Sequence, residues 1–215
     1  MSERREIEEL MRRTRRYWYE DGLWEIAVGG FFLLLALLWY AQARTPQGSP
    51  LWAIYAFAPI LLIVLVYTLG MRLIERVRSR HVWPRTGYVK PSRRAYWPFS
   101  RVIGLVVVAL LALGFVAPSI AGGKWLPALW GPGFALVLVV GARFLGLRRW
   151  YALGAWALLT GLGAFLLPFP WLVSGALFWL ALGLGWLICG LYALRRYRRS
   201  LAGLPRGGNA NEPGV

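Results

Sequence analysis

The chain has 215 residues, of which 58% are hydrophobic and only 16% are charged, and its formal net charge is +16 at pH 7. This composition excludes an ordinary soluble globular domain, which has a smaller apolar share and more charged residues. The single cysteine, Cys189, excludes an intramolecular disulfide framework.

Long uncharged runs of sequence predict membrane-spanning helices. The first four runs have 18 to 27 residues, and a bilayer crossing takes roughly 20. The last run, 150–194, is too long for one crossing, and Pro168 and Pro170 in its middle predict a break because proline cannot continue a helix. We therefore predict an all-α, multi-pass membrane protein with six transmembrane helices in three hairpins. The predicted helices 1 to 6 lie at about 24–43, 51–71, 100–118, 125–143, 150–168 and 171–194.

Basic residues are concentrated on one side of this topology. All but two of the 25 arginines and lysines fall before helix 1, after helix 6, or in the loops between helices 2 and 3 and between helices 4 and 5; the exceptions are Arg44 and Lys124. By the positive-inside rule, both termini are predicted to be cytoplasmic. The short loops and the excess of arginine over lysine point to the plasma (inner) membrane of a bacterium. Topology and attraction to anionic headgroups account for the charge, so no nucleic-acid partner is predicted.

The chain is predicted to divide into three parts. Residues 1–22 form an amphipathic cytoplasmic helix, with acids in its first turns and arginines in its last, an order that suits the helix dipole. Residues 23–198 form the membrane domain, including a cytoplasmic loop at 72–99. That loop contains Pro-Arg-Thr-Gly at 84–87, a turn signal that predicts a β-hairpin. Residues 199–215, rich in Gly, Pro and Asn, are predicted to be disordered.

Small residues form two seams that predict close helix packing. Helix 5 carries Gly154, Ala157, Gly161, Ala164 and Pro168, and helix 6 carries Ala181, Gly185, Cys189 and Ala193. Small residues let helix backbones approach closely in lipid. Helices 5 and 6 are therefore predicted to pack against each other, or to form the contact between subunits of a homo-oligomer.

Two stretches of the chain resemble each other when they are aligned at an offset of 132 residues, which pairs Gly22, Trp24 and Gly29 with Gly154, Trp156 and Gly161. They are RYWYEDGLWEIAVGGFFLLL (16–35) and RWYALGAWALLTGLGAFLLP (149–168). Two explanations of the resemblance are open. Either a hairpin was duplicated, or two apolar helices with flanking aromatic residues are similar by chance.

Polar residues at the cytoplasmic face form the candidate site. Glu25 lies one turn inside helix 1 and needs a partner, because an unpaired charge is costly in lipid; Arg16 or an arginine of 71–101 is the expected partner. If the loop folds back over helix 1, seven residues form a cytoplasmic cap that binds a protein partner or an anionic headgroup. The cap consists of Glu20, Asp21, Glu25, His81, Arg85, Thr86 and Tyr88. The alternative is a loop that is simply held at the membrane surface.

Catalytic chemistry is not indicated by the sequence. It contains no catalytic triad, no metal-ligand cluster and no glycine-rich phosphate loop, so no catalytic residue, metal site or cofactor is predicted. The favoured function is a non-enzymatic accessory or scaffold protein of the membrane. A second interpretation is a small-molecule or lipid transporter or channel built from duplicated hairpins, which needs a hydrated cavity. A third is a lipid-modifying enzyme at the membrane interface that uses Glu20, Asp21, His81 and Arg85.

Overall fold

The computed structural model describes residues 19, 21–70, 72–74, 76–77 and 123–202. Their regular structure is helical, with no strand in these ranges, which confirms the all-α prediction for this part of the chain. The helices are α1 (Leu23–Arg44), α2 (Pro50–Leu65), α3 (Leu126–Leu145), α4 (Arg149–Leu166) and α5 (Trp171–Ala202), and a π-helix (Val66–Gly70) continues α2.

Four helical stretches are long and apolar enough to cross a membrane. They are Leu23–Arg44, Pro50–Ile74, Leu126–Leu145 and Trp171–Ser200, and they correspond to predicted helices 1, 2, 4 and 6. Helix α4 corresponds to predicted helix 5. It has 18 residues with a charged arginine at position 149 in its first turn, and it is not one of these four stretches. The membrane character of the chain is supported, and the six-span topology stays a prediction.

Several predicted segments lie outside the described residues. They are most of the N-terminal helix at 1–22, most of the loop at 72–99 with its turn at 84–87, predicted helix 3 at about 100–118, and residues 203–215. Helix α5 ends at Ala202, so residues 199–202, predicted as the start of a disordered tail, are helical instead. Arg199 lies in this last turn, where a positive charge is favourable to the helix dipole.

Local sequence explains where the helices begin and end. The hydroxyl of Ser49 accepts a hydrogen bond of 3.2 Å from the backbone N–H of Trp52 and so caps α2. Helix α3 ends at Leu145 and is followed by Gly146, whose φ of 72° is the left-handed conformation that glycine adopts most easily. The break between α4 and α5 lies at residues 167–170, where the two prolines of the last uncharged run predicted it.

Helices α1 and α5 pack with their backbones in direct contact. A Cβ atom added to Gly29 would lie 2.8 Å from the backbone nitrogen of Leu187, and one added to Gly183 would lie 3.0 Å from the carbonyl oxygen of Gly29. Near the start of α1, a Cβ atom on Gly190 would lie 2.9 Å from the carbonyl oxygen of Gly22. A larger residue at these positions would force the two helices apart.

The predicted packing of helices 5 and 6 is confirmed as a contact between α4 and α5, but the small-residue seam of α4 packs against α3. A Cβ atom on Gly161 would lie 2.7 Å from the Cα atom of Gly131, and Ala157 in the same seam is fully buried. Helix α5 contacts α4 through a side chain instead. The Trp156 ring covers Gly185, and the Nε1–H of Trp156 donates a hydrogen bond of 2.9 Å to the carbonyl of Ala181. The prediction was wrong about the partner of the seam because small residues indicate that a backbone comes close without specifying which one.

Aromatic side chains fill the space between α1, α3 and α5. The Phe32 ring of α1 stacks on Trp179 of α5, with centroids 5.4 Å apart, and meets Phe134 of α3 edge to face at 5.6 Å. Trp130 of α3 lies 5.0 Å from Trp179 between ring centroids. Offset and edge-to-face ring pairs add stabilisation beyond the area that they bury, so this cluster is the centre of the described core.

Replacing Gly29 by alanine will destabilise the protein, whereas the same change at the neighbouring Gly30 will not. We expect Gly29→Ala to lower the free energy of unfolding by about 1 to 3 kcal/mol, as overpacking does, because its Cβ would meet the backbone of α5. A Cβ atom on Gly30 has open space around it, so Gly30→Ala gains up to about 1 kcal/mol of helix propensity. Thermal unfolding of both variants in detergent measures the difference, and equal melting temperatures would contradict the α1–α5 contact.

Candidate functional site

Glu25 is at the centre of a buried polar cluster. Its side chain has no exposed surface, and its Oε1 accepts hydrogen bonds from Arg149 Nε at 2.8 Å and from Trp150 Nε1 at 2.9 Å. Arg149 Nη2 lies 2.6 Å from the same oxygen. A charged donor and a neutral indole N–H therefore hold one carboxylate oxygen, and they join the first turn of α1 to the first turn of α4.

Arg149 also connects the cluster to the chain that precedes α1. Its Nη2 donates a hydrogen bond to the backbone carbonyl of Tyr19, and 23% of its side-chain surface is exposed. The Tyr19 ring meets Trp150 edge to face, with centroids 5.7 Å apart, and meets Trp24 in the same way at 6.3 Å. One guanidinium group thus binds both Glu25 inside α1 and the backbone just before that helix.

The start of α1 explains why two acids lie here. Asp21 Oδ1 accepts a hydrogen bond of 3.1 Å from the N–H of Leu23, one of the N–H groups that have no acceptor within the helix. Gly22 at the cap has a φ of 73°, a conformation that is costly for other residues. Both Asp21 and Glu25 are buried at the positive end of the helix dipole, where negative charge is favoured.

Pairing is what makes the burial of Glu25 tolerable. Taking a carboxylate out of water costs several kcal/mol, and an arginine partner with good geometry offsets this cost. The second carboxylate oxygen, Oε2, is also buried and has no hydrogen bond within the described part of the chain. All the described donors therefore converge on Oε1, and loss of Arg149 would leave the carboxylate with the indole N–H of Trp150 alone.

The structure describes two of the seven residues of the predicted cytoplasmic cap and does not test its binding role. Asp21 and Glu25 are described and lie together at the start of α1; Glu20, His81, Arg85, Thr86 and Tyr88 lie outside the described residues. The prediction that Glu25 needs a partner is confirmed. The observed partner is Arg149, which sequence reasoning had counted only as a marker of topology, and not Arg16 or an arginine of 71–101.

A signal for this pair was present in the sequence. In the predicted topology Glu25 and Arg149 both lie one turn or less from the cytoplasmic end of a helix, and therefore at a similar depth. Within the ranges that the structure describes, no three His, Cys, Asp or Glu residues come together as metal ligands.

Arg149→Ala will destabilise the protein strongly, while Arg148→Ala at the adjacent position will not. Removing Arg149 leaves the Glu25 carboxylate buried without its charged partner, so we expect a loss of about 3 to 5 kcal/mol in the free energy of unfolding. Arg148 is exposed, and its replacement is expected to change stability by at most about 0.5 kcal/mol. Denaturant titration in detergent micelles, followed by tryptophan fluorescence, measures both values.

The double variant Glu25→Leu/Arg149→Leu separates pairing from packing. Because it removes both charges, we expect it to be more stable than Glu25→Leu or Arg149→Leu alone. Additive losses would show that the two side chains contribute independently and would contradict the ion pair as the reason for their burial.

The chemistry of the described site is that of a helix-to-helix clamp. A guanidinium group and an indole N–H hold a carboxylate whose burial they make tolerable. Function must be inferred from this geometry, since no protein-family model, no curated protein and no solved structure matches the chain.

Proposed function

We propose that the protein is an integral membrane accessory or scaffold protein whose cytoplasmic face binds a protein partner or an anionic lipid. The observation that carries the proposal is the Glu25–Arg149 ion pair, in which the buried charge of α1 is used to fix α1 against α4. A buried ionisable residue in a membrane protein is by default a candidate for function. In this case its geometry is that of a fixed structural contact.

The aromatic core supports a scaffold over a transporter. Phe32, Trp130, Phe134, Phe178 and Trp179 contact one another with ring centroids 5.0 to 6.4 Å apart. These rings occupy the space between α1, α3 and α5, where a pathway through the described helices would run. Protein interiors packed in this way resist rearrangement, so the described helices are suited to act as a rigid platform.

The contacts of the two acids at the start of α1 support a non-enzymatic role. Of the residues that a lipid-modifying enzyme would use, Asp21 caps α1 and is buried. Glu25, beside it, is held by Arg149 and Trp150. Both carboxylates therefore stabilise the structure at the start of α1.

The proposed topology has six spans, with both termini on the cytoplasmic side of a bacterial plasma membrane. Four spans have the required length and apolar composition, and α4 and predicted helix 3 complete the set. The Glu25–Arg149 contact joins the N-terminal ends of α1 and α4, so these ends lie on the same side. Exposed arginines are found at this side, where the positive-inside rule places the cytoplasm: Arg143, Arg148, Arg195, Arg196, Arg198 and Arg199.

Affinity purification of the full chain from its own host is the experiment that tests the proposed function. We expect a protein partner at a fixed stoichiometry, or a selectively retained anionic lipid, when proteins and lipids are identified together by mass spectrometry. Arg149→Ala should reduce the recovery of that partner, because it loosens the platform, and Arg148→Ala is the matched control. Recovery of the chain without either partner, together with solute flux through reconstituted liposomes, would overturn the proposal in favour of a transporter.

Cysteine labelling will place the two ends of the helices. In a Cys189→Ser background, Gln47→Cys lies in the exposed turn between α1 and α2, and Ser200→Cys lies in the exposed last turns of α5. A membrane-impermeant maleimide is expected to label Gln47→Cys in cells with an intact plasma membrane, and Ser200→Cys only after that membrane is permeabilised. The reverse pattern would show that the arginine-rich end faces outward.

A further inference from the structure

One face of α5 is exposed along the cytoplasmic half of the helix and changes from apolar to basic. Leu184, Ile188 and Tyr192 are exposed to 45%, 68% and 66%. Arg195 and Arg199, which are also exposed, follow at the next positions of the same face. Residues three and four apart lie on one side of a helix, so these side chains form a continuous stripe.

Among the helices that the structure describes, α1 and α4 lie at the edges of this stripe and do not cover it. The opposite face of α5 is buried through Leu182, Trp186 and Ala193. On one edge α1 packs closely, where a Cβ on Gly190 would meet Ile26. On the other edge the Trp156 ring of α4 covers Gly185. Among the described helices, the stripe is therefore open between α1 and α4.

The length of α5 places the change in polarity at the membrane interface. Its 32 residues extend over about 48 Å at 1.5 Å per residue, whereas the hydrocarbon core of a bilayer is about 30 Å thick. A crossing that begins near Trp171 therefore ends close to Tyr192, and tyrosine is enriched at this interface. Arg195 and Arg199 follow in the layer of the phospholipid headgroups.

We infer that this stripe is a binding site for one anionic phospholipid. An acyl chain lies along Leu184 and Ile188, and the phosphate is held by Arg195 and Arg199, with Arg198 at its edge. Arginine forms paired hydrogen bonds with phosphate oxygens, and α5 contains no aspartate or glutamate that would compete for them. An anionic head joined to an apolar tail matches both parts of the stripe, which a free phosphate does not.

This site rests on the proposed function, because it gives a location to the anionic lipid that the cytoplasmic face is proposed to bind. A generally basic surface would attract anionic lipid without a site, since every arginine near the headgroups contributes. The inference is sharper, because it requires that the two arginines on the stripe matter more than two exposed arginines elsewhere at the same end of the molecule.

Native mass spectrometry of the purified full chain tests the inference. The protein in detergent is mixed with equal amounts of dioleoyl phosphatidylglycerol and dioleoyl phosphatidylcholine, and the retained lipids are counted. We expect the protein to retain phosphatidylglycerol preferentially, and we expect Arg195→Gln/Arg199→Gln to reduce this preference about tenfold, because two phosphate contacts are lost. Phosphatidylcholine carries no net charge, so its retention should not change.

The matched control is Arg72→Gln/Arg148→Gln, which removes the same amount of charge from two exposed positions off the stripe. This variant should keep most of the preference. Equal losses in the two double variants, or a wild-type protein without preference, would overturn the site. Unchanged melting temperatures in both variants show that the lipid result does not come from unfolding. Because this measurement needs neither a protein partner nor a known topology, its failure is distinguishable from failure of the proposed function.

Discussion

The described structure depends on one constraint, which is that the carboxylate of Glu25 is buried without exposed surface. A buried charge has to be paired, and Arg149 and Trp150 supply the pairing from the first turn of α4. This requirement fixes the start of α1 relative to the start of α4. The same arginine binds the carbonyl of Tyr19, so the direction in which the chain enters α1 is fixed as well.

Close contacts at glycine residues pack the helices of the bundle against one another. Gly29 lets α1 lie directly on α5, and Gly161 lets α4 lie directly on α3. Within a membrane, hydrophobicity gives little drive for helices to associate, so close packing has to supply it. Where the backbones approach, the ring of Phe32 reaches Trp179 and Phe134. The ion pair joins α1 to α4, and the glycine contacts join α1 to α5 and α4 to α3.

Much of the helical architecture could be predicted from the sequence, because apolar runs and prolines act locally. The uncharged runs predicted both ends of α1 and the start of α5 to within a few residues. Pro168 and Pro170 predicted the break between α4 and α5. The need of Glu25 for a partner followed from its depth in an apolar helix. The identity of that partner did not, since Arg149 is 124 residues away in the chain and a charge pattern contains no information on which helices are neighbours. The prediction of which helix the seam of α4 contacts was wrong for the same reason.

The resemblance between 16–35 and 149–168 acquires a physical meaning from these contacts. Gly22 at the cap of α1 and Gly29 within it approach α5, and their counterparts at the offset of 132 residues, Gly154 and Gly161, approach α3. Both helices therefore use equivalent positions for close contacts, although with different partners. At the position equivalent to Glu25 lies an alanine that is also fully buried, so the polar anchor belongs to one of the two helices only. Close packing accounts for the glycines that the two stretches share, and the ion pair accounts for the acid that only α1 contains.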